Sequence, residues 1–179
     1  FRVGSLGEQG TSGESTFRVG EMSASLHGNR FESEGNYREN NQFAQDAVVV
    51  KLTLPAVGGW SVNSYLLASL TERGIPGSVQ YPSPSAYKNN EDMLLLVSGR
   101  TVSRWGYSEV YAGSFQSDEH HTNPDWAVDS QHKTANNRLR LIHRSQPDQN
   151  FTNTVSLEVA QVDVKSNDAG KHVMATGAA

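Results

Sequence analysis

The fold class is decided by the stretch Val48-Val49-Val50-Lys51-Leu52-Thr53-Leu54 and by the short link Pro55-Ala56-Val57-Gly58-Gly59 that follows it. Every second residue of the stretch is apolar, and the positions between them include Lys51 and Thr53. This alternation predicts a β-strand with one apolar and one polar face. A second alternating run begins at Trp60, so we predict two strands joined by a tight turn.

The same alternation recurs along the whole chain, whereas helical periodicity is weak. The predicted strands share this two-faced pattern and cover residues 3–18, 22–31, 46–54, 60–72, 92–102, 106–117, 136–144 and 153–165, with a candidate ninth from residue 171. Several of them reach about ten residues, near the roughly 9–11 that a tilted strand needs to cross a bilayer. Strands of globular proteins are usually shorter.

The predicted links alternate in length. Short links lie at 19–21, 55–59, 103–105 and 145–152, and long links lie at 32–45, 73–91 and 118–135. Short periplasmic turns on one rim and long extracellular loops on the other are typical of outer-membrane barrels. The fold class that we predict is therefore all-β: an antiparallel, up-and-down transmembrane β-barrel segment of about eight or nine strands.

Composition agrees with this prediction and excludes several other classes. The chain is 36% hydrophobic with a mean hydropathy of -0.56, which a barrel allows because only alternate side chains face lipid. No apolar run approaches the roughly 18 residues of a membrane helix. The net charge is -4 and the basic residues are scattered, so we expect no nucleic-acid binding. Without cysteine, disulfides and thiolate sites are excluded.

Several segments, in order along the chain, resemble TonB-dependent outer-membrane receptors of the cobalamin-receptor-like group. They are GSLGEQ at 4–9, GNRFESEGNYR at 28–38 with NNQF at 40–43, ERGIPGSV at 72–79 with YPSPSA at 81–86, and HTNPDW at 121–126. In that group they resemble the strand after the plug domain, the loop that follows it, an ERG-hydrophobic-PG loop and a later loop segment.

The resemblance implies a barrel of roughly 22 strands with a plugged lumen. Such receptors import a scarce nutrient, such as cobalamin or an iron chelate, with energy supplied through TonB. We expect residues 1–179 to be a partial TonB-dependent receptor β-barrel domain in the outer membrane of a Gram-negative bacterium. It would contact outer-membrane lipid and a small-molecule nutrient, and it would meet TonB only through a plug domain that residues 1–179 do not include.

The long loops supply the candidate ligand-binding residues, because extracellular loops carry recognition. They are Arg73, Tyr81, Tyr87 and Trp126. Asp118, Glu119, Asp125 and Asp129 are candidate calcium ligands, since carboxylate oxygens suit Ca²⁺. The alternative is that these carboxylates belong to a solvated loop. No other cofactor is expected.

Other polar and aromatic residues are expected in the barrel wall. The side chains expected to face the lumen are those of Lys51, Tyr65, Arg138, Arg140, Glu158 and Asp163. Those expected to form an aromatic girdle are Trp60, Trp105 and Tyr107, which lie at or just after short links.

We expect no enzymatic activity, because the chain contains no Gly-x-Ser-x-Gly elbow and no phosphate-binding loop. A small outer-membrane barrel enzyme would need a Ser/His/acid set that converges at one rim. The main alternative is a soluble β-sandwich or β-barrel binding module for carbohydrate, with tryptophans as stacking surfaces. The discriminating feature is the outward face of the strands: apolar in the membrane barrel and polar in the soluble module.

Overall fold

The computed structural model is one antiparallel sheet. It describes the backbone of residues 2–3, 7–35, 39–148, 151–167 and 170–178, and the side chains of 7–35, 39–145 and 151–167. The strands are β1 (Arg2–Val3), β2 (Gln9–Val19), β3 (Met22–Ser33), β4 (Phe43–Val57), β5 (Trp60–Gly74), β6 (Tyr87–Ser103), β7 (Gly106–Asn123), β8 (Val128–Asp148), β9 (Phe151–Ser166) and β10 (Gly170–Ala178).

Each strand pairs with its neighbours in sequence, so the order across the sheet is β1 to β10. The predicted all-β, up-and-down antiparallel arrangement is confirmed. In the described residues the sheet is open, with β1 and β10 at its edges.

No helix in the described part of the chain is long and apolar enough to cross a membrane.

The strands extend further than predicted at the end of the sheet with the long links. The long loop predicted at 118–135 is wrong: β7 continues to Asn123, β8 begins at Val128, and a 3-10 turn, Pro124–Trp126, connects them. The strands continue past their alternating apolar residues into polar sequence, because the backbone hydrogen bonds between strands do not require apolar side chains. At the other end of the sheet, β8 extends to Asp148 and β9 begins at Phe151, so both strands reach into the link predicted at 145–152. Residues 149–150 of that link lie outside the described residues.

Cross-strand register divides the side chains into two faces. The apolar face carries rows such as Leu26, Val50, Leu66 and Leu95, which are directly paired across β3 to β6. The polar face carries the row Thr53, Asn63, Ser98, Tyr111, Arg140 and Glu158 across β4 to β9. Since directly paired residues point to the same side, this division holds across the sheet.

The apolar face is open to solvent in the described structure. Large apolar side chains on it remain between about a third and three quarters exposed, among them Phe17, Met22, Leu52, Val97, Leu139, Val155 and Leu157. The described residues that are buried, by contrast, lie where the loops meet, and they are Gly74, Ser83, Ala86, Asn123 and Ser130. The sheet therefore has no packed core of its own, and its apolar face lacks a covering layer among these residues.

The hairpin between β4 and β5 depends on two glycines. Gly58 and Gly59 have φ angles of 59° and 82°, and they lie between the paired residues Val57 and Trp60. Two consecutive positive φ angles define the two-residue turn that matches strand twist, and glycine adopts them without strain.

Replacing Gly59 with alanine should lower the free energy of unfolding by about 1–2 kcal/mol, because a side chain is strained at positive φ. The measurement is urea unfolding of the refolded chain. Gly28→Ala is the matched control: Gly28 is in a strand, its φ is not positive, and an added Cβ meets nothing within 4 Å. An equal loss in both variants would contradict this account of the turn.

Candidate functional site

The candidate site is a loop cap at one end of the sheet. It consists of residues 39–42 between β3 and β4, residues 75–86 between β5 and β6, and residues 123–127 around the turn after β7. Hydrogen bonds join the three segments to one another. Loops fixed in this way can present a binding surface without losing further conformational entropy when a ligand binds.

Asn40 holds the first two segments together. Its side-chain amide donates to the carbonyl oxygens of Ile75, Ser83 and Ala86 at 3.2, 2.8 and 2.6 Å. Its φ is 56°, a left-handed conformation that asparagine tolerates better than most residues. Gly74 permits the approach, because a Cβ there would lie 2.3 Å from the Asn40 Oδ1 atom.

The turn after β7 joins the same cluster through two contacts. The Asn123 side-chain amide donates to Ser83 Oγ at 3.1 Å, and both residues are buried. The Asp125 carboxylate accepts from the Ser85 backbone N–H at 3.0 Å. The cap is therefore held by polar contacts between segments that are about 40 residues apart in sequence.

Two of the four predicted ligand-binding residues meet in the cap. The rings of Tyr81 and Trp126 are edge to face, with centroids 5.9 Å apart, and both side chains remain more than half exposed. Arg73 is at the end of β5 on the polar face, opposite Phe43 and Lys88. Tyr87 begins β6 on the other face, opposite Gly74, and burial raises the pKa of its phenol.

The four predicted calcium ligands are not brought together. Asp118 and Glu119 are adjacent in β7 and therefore point to opposite faces. Their partners are Lys133 for Asp118 and Lys88 for Glu119, each at 2.6 Å, whereas Asp129 contacts His120 and Asp125 contacts the Ser85 backbone. Among the described residues no group of three or more His, Cys, Asp or Glu side chains could hold a metal ion. Calcium binding stays a prediction from sequence.

The Asp118 carboxylate is the most strongly paired of these groups. A hydrogen bond from the Lys133 ammonium holds the pKa of Asp118 below its ordinary value, and a second from Gln131 at 3.0 Å acts in the same direction. Because the pKa is lowered on folding, the pair contributes stability at neutral pH and loses it as the pH falls through the lowered pKa.

Register places five of the six predicted lumen-facing residues on the polar face. Lys51, Tyr65 and Arg138 share one row, and Arg140 and Glu158 share the row two positions along. The sixth assignment is wrong: Asp163 pairs with Ala135 and lies on the apolar face. Tyr107 is also on the polar face, paired with Arg144, whereas Trp60 is on the apolar face and Trp105 is exposed at a turn.

Grooves lie on both faces of the described sheet. A groove of about 1390 Å³ crosses β2 to β9 on the apolar face, near the loop cap, between a row of mostly charged residues and a row rich in small residues. A second groove of about 790 Å³ is lined mainly by polar-face residues of β4 to β9. Both volumes can hold small molecules, and the second lies within the usual size range of ligand sites.

One contact that the sequence left unassigned involves His143. Ser108 Oγ lies 2.8 Å from His143 Nδ1, and the two residues are directly paired on the apolar face. In the described part of the chain no carboxylate bonds to this histidine. A serine and a histidine without a third group to orient the ring do not form a triad.

Asn40, Ser83 and Asn123, which hold the loop cap together, are not among the site residues predicted from the sequence. A local signal existed only for Asn40, because asparagine is enriched in left-handed and turn conformations. The partners of all three residues are distant in sequence, so only the strand pairing reveals them.

The chain matches no known family model, no curated protein and no solved structure. Residues 4–6 and 36–38, which carry parts of two of the motifs quoted above, lie outside the described residues.

Asn40→Asp should loosen the loop cap, because aspartate keeps the shape and the tolerance of positive φ but loses the donor. The Ser83 and Ala86 carbonyls keep backbone donors from Ala86 and Ile75, but a carboxylate with no hydrogen to donate would then face all three carbonyl oxygens, which costs about 1–3 kcal/mol. The measurement is hydrogen exchange at the Ser83 and Ala86 amides, which are bonded within the cap. Asn63→Asp in β5, at an exposed position on the polar face where aspartate keeps the oxygen that accepts from Thr53, is the control, and equal exchange in both variants would refute the role of Asn40.

Lys133→Gln should raise the pKa of Asp118 towards its ordinary value, because the largest cause of its lowering is removed. An NMR titration of the Asp118 carboxyl carbon measures the change directly. Gln131→Ala should raise the pKa by a smaller amount. If the titration midpoint of Asp118 is unchanged in Lys133→Gln, the hydrogen bond from Lys133 does not lower the pKa of this carboxylate.

Proposed function

We propose that this chain forms part of the wall of an outer-membrane receptor, with its apolar face towards lipid and its polar face towards a lumen. The observation that carries the proposal is the apolar face itself, whose large side chains stay exposed although the strands are long and regularly paired. Exposing such a surface to water is unfavourable in free energy, and contiguous apolar patches of this kind mark interaction with a membrane or another protein.

The height of the apolar face supports a lipid occupant. On β5 it extends from Leu70 to Trp60, which is roughly 33 Å along the strand at about 3.3 Å per residue. A strand tilt of about 40° would reduce this to roughly 25 Å along the membrane normal, the usual height of the apolar band of outer-membrane barrels. Serine, asparagine and glutamine interrupt it at positions such as Ser64, Asn137 and Gln161.

The margins of the apolar face also suit a membrane. Towards the loop cap, the row that contains Leu70 of β5 is charged on the other strands from β3 to β9, with Arg30, Asp46, Glu91, Asp118, Lys133 and Lys165. Charged residues belong at the level of lipid headgroups and water. At the opposite end, Trp60 and Trp105 occupy the positions expected of interfacial aromatic residues.

The receptor part of the proposal concerns the loop cap. Three connected segments present the exposed Tyr81 and Trp126 rings at the loop end of the sheet. Exposed aromatic rings on a fixed frame are suited to capture a bulky nutrient. The ordered resemblance of the sequence to TonB-dependent receptors supports uptake of such a nutrient, for example cobalamin or an iron chelate, with a plug domain mediating contact with TonB.

A soluble carbohydrate-binding module would use the same Tyr81 and Trp126 pair as a stacking surface. That alternative needs a second layer to cover the apolar face. Within the described residues nothing packs on this face, so the membrane proposal accounts for more of the structure.

The decisive experiment compares arginine substitutions at two adjacent residues of β6. Val97 is on the apolar face and Ser98 is on the polar face. In phosphatidylcholine vesicles, Val97→Arg should destabilise the inserted chain by about 2–4 kcal/mol, the usual cost of arginine on a lipid-facing surface near the bilayer centre. Ser98→Arg should cost much less, because its side chain points towards the hydrated side.

Insertion is measured by co-flotation with vesicles and by protection from protease, and stability by urea unfolding of the inserted chain. A chain that stays in the aqueous fraction with a cooperative unfolding transition would refute the membrane proposal and favour the soluble module. Equal destabilisation by Val97→Arg and Ser98→Arg would show that the two faces do not differ in environment.

A further inference from the structure

The groove on the polar face has an unbalanced set of charges. We call it the basic groove, and its lining includes Lys51, Arg138, Arg140, Glu158 and Tyr111. Three of these residues are cationic at neutral pH and one is anionic, so the groove has a net positive charge although the chain as a whole carries -4. A concave site with one sign of charge concentrates small ions of the opposite sign.

The single carboxylate is shared between the two arginines. Arg138 Nε lies 3.3 Å from Glu158 Oε1, and Arg140 Nε lies 3.8 Å from Glu158 Oε2. Neither contact is the close two-bond pairing that arginine forms with a carboxylate at full strength. The side chains of Arg138 and Arg140 are 57% and 49% exposed, so both arginines are accessible to another acceptor.

The residues around the arginines combine apolar and polar groups. Gly113 lies between Leu96 and Arg138 in one cross-strand row, and a Cβ there would come within 3.0 Å of a Leu96 methyl group. The glycine therefore makes room for the Leu96 side chain, which gives the groove an apolar wall beside Arg138. Tyr111 pairs directly with Arg140 and also lines the groove, and its phenol donates a hydrogen bond to the Glu109 carboxylate, from which an anionic ligand oxygen would have to take it over.

We propose that the basic groove binds a small molecule bearing phosphate or carboxylate groups, held by Arg138 and Arg140 with Tyr111 beside them. Arginine is suited to this task because its planar fork of donors matches both kinds of oxyanion. Lys51, on the same row as Arg138 but four strands away, attracts a second anionic group of a larger ligand. If the ligand is the nutrient that the receptor imports, which rests on the proposed function, then that nutrient is anionic.

Glu158 has a specific role in this proposal, as the internal competitor for the ligand. In the free protein the Glu158 carboxylate contacts both arginines weakly, and a bound anion would replace it at the guanidinium groups. Glu158→Gln should therefore increase affinity, which is the opposite of what the loss of a purely structural ion pair would do.

The test is isothermal titration of the refolded chain with inorganic pyrophosphate and, separately, with citrate. The two arms distinguish a preference for phosphate from one for carboxylate. Arg138→Gln and Arg140→Gln should each weaken binding about tenfold, as expected for loss of one charge-assisted contact of roughly 1.4 kcal/mol. Glu158→Gln should strengthen binding severalfold, and raised salt should weaken it.

Arg104→Gln is the matched control, because Arg104 is at a turn outside the groove, over the Trp105 ring. Circular dichroism verifies that every variant retains its β-structure. The proposal is overturned if neither anion binds, if Arg104→Gln weakens binding as much as the groove variants, or if Glu158→Gln lowers affinity. Binding of polyglutamate without either small anion would also overturn it, because the groove would then be a protein contact.

These outcomes are separable from failure of the receptor proposal. If the chain does not insert into phosphatidylcholine vesicles but still binds pyrophosphate with the expected variant effects, the anion site stands and the membrane function fails. If it inserts but binds neither anion, the anion site fails and the membrane function stands.

Discussion

The cross-strand register is the constraint on which everything else in this structure depends. Side chains of a strand alternate between two faces, so a slip of one residue would exchange the two faces throughout. Pairing Leu66 with Val50 and Leu95 assembles the apolar face, and the same ladder assembles Arg138, Arg140 and Glu158 into the basic groove. The exposed apolar surface and the charged groove are therefore two results of one alignment.

The loop cap follows from the same constraint but is stabilised differently. Along the strands the side chains remain partly exposed, whereas at the loop end Ser83, Ala86 and Asn123 are buried and polar contacts hold the loops. A sheet that lacks a core can still carry an ordered binding surface, provided that its loops supply their own hydrogen-bond partners. Asn40 does this by bonding to several carbonyls at once.

The sequence predicted much of the fold and less of the candidate sites. Alternating residues located the eight strands β2 to β9, because periodicity is a local property. Strand ends were less well predicted: polar runs such as Asp118-Glu119-His120-His121 suggested a loop, although backbone pairing extends through them. Tyr81 and Trp126 were predicted separately as ligand-binding residues, but their contact spans two connections and was not predictable.

What the sequence determined by itself was the all-β class, the up-and-down order and which residues of a strand share a face, because these depend on the spacing of residues within strands and on the short links between them. Only the tertiary structure decided which residues meet. It placed one carboxylate between Arg138 and Arg140 and brought Tyr81 into contact with Trp126. The physical reason is that these contacts join residues about twenty or more positions apart, and apart from tight hairpin turns no local pattern encodes the offset between two strands.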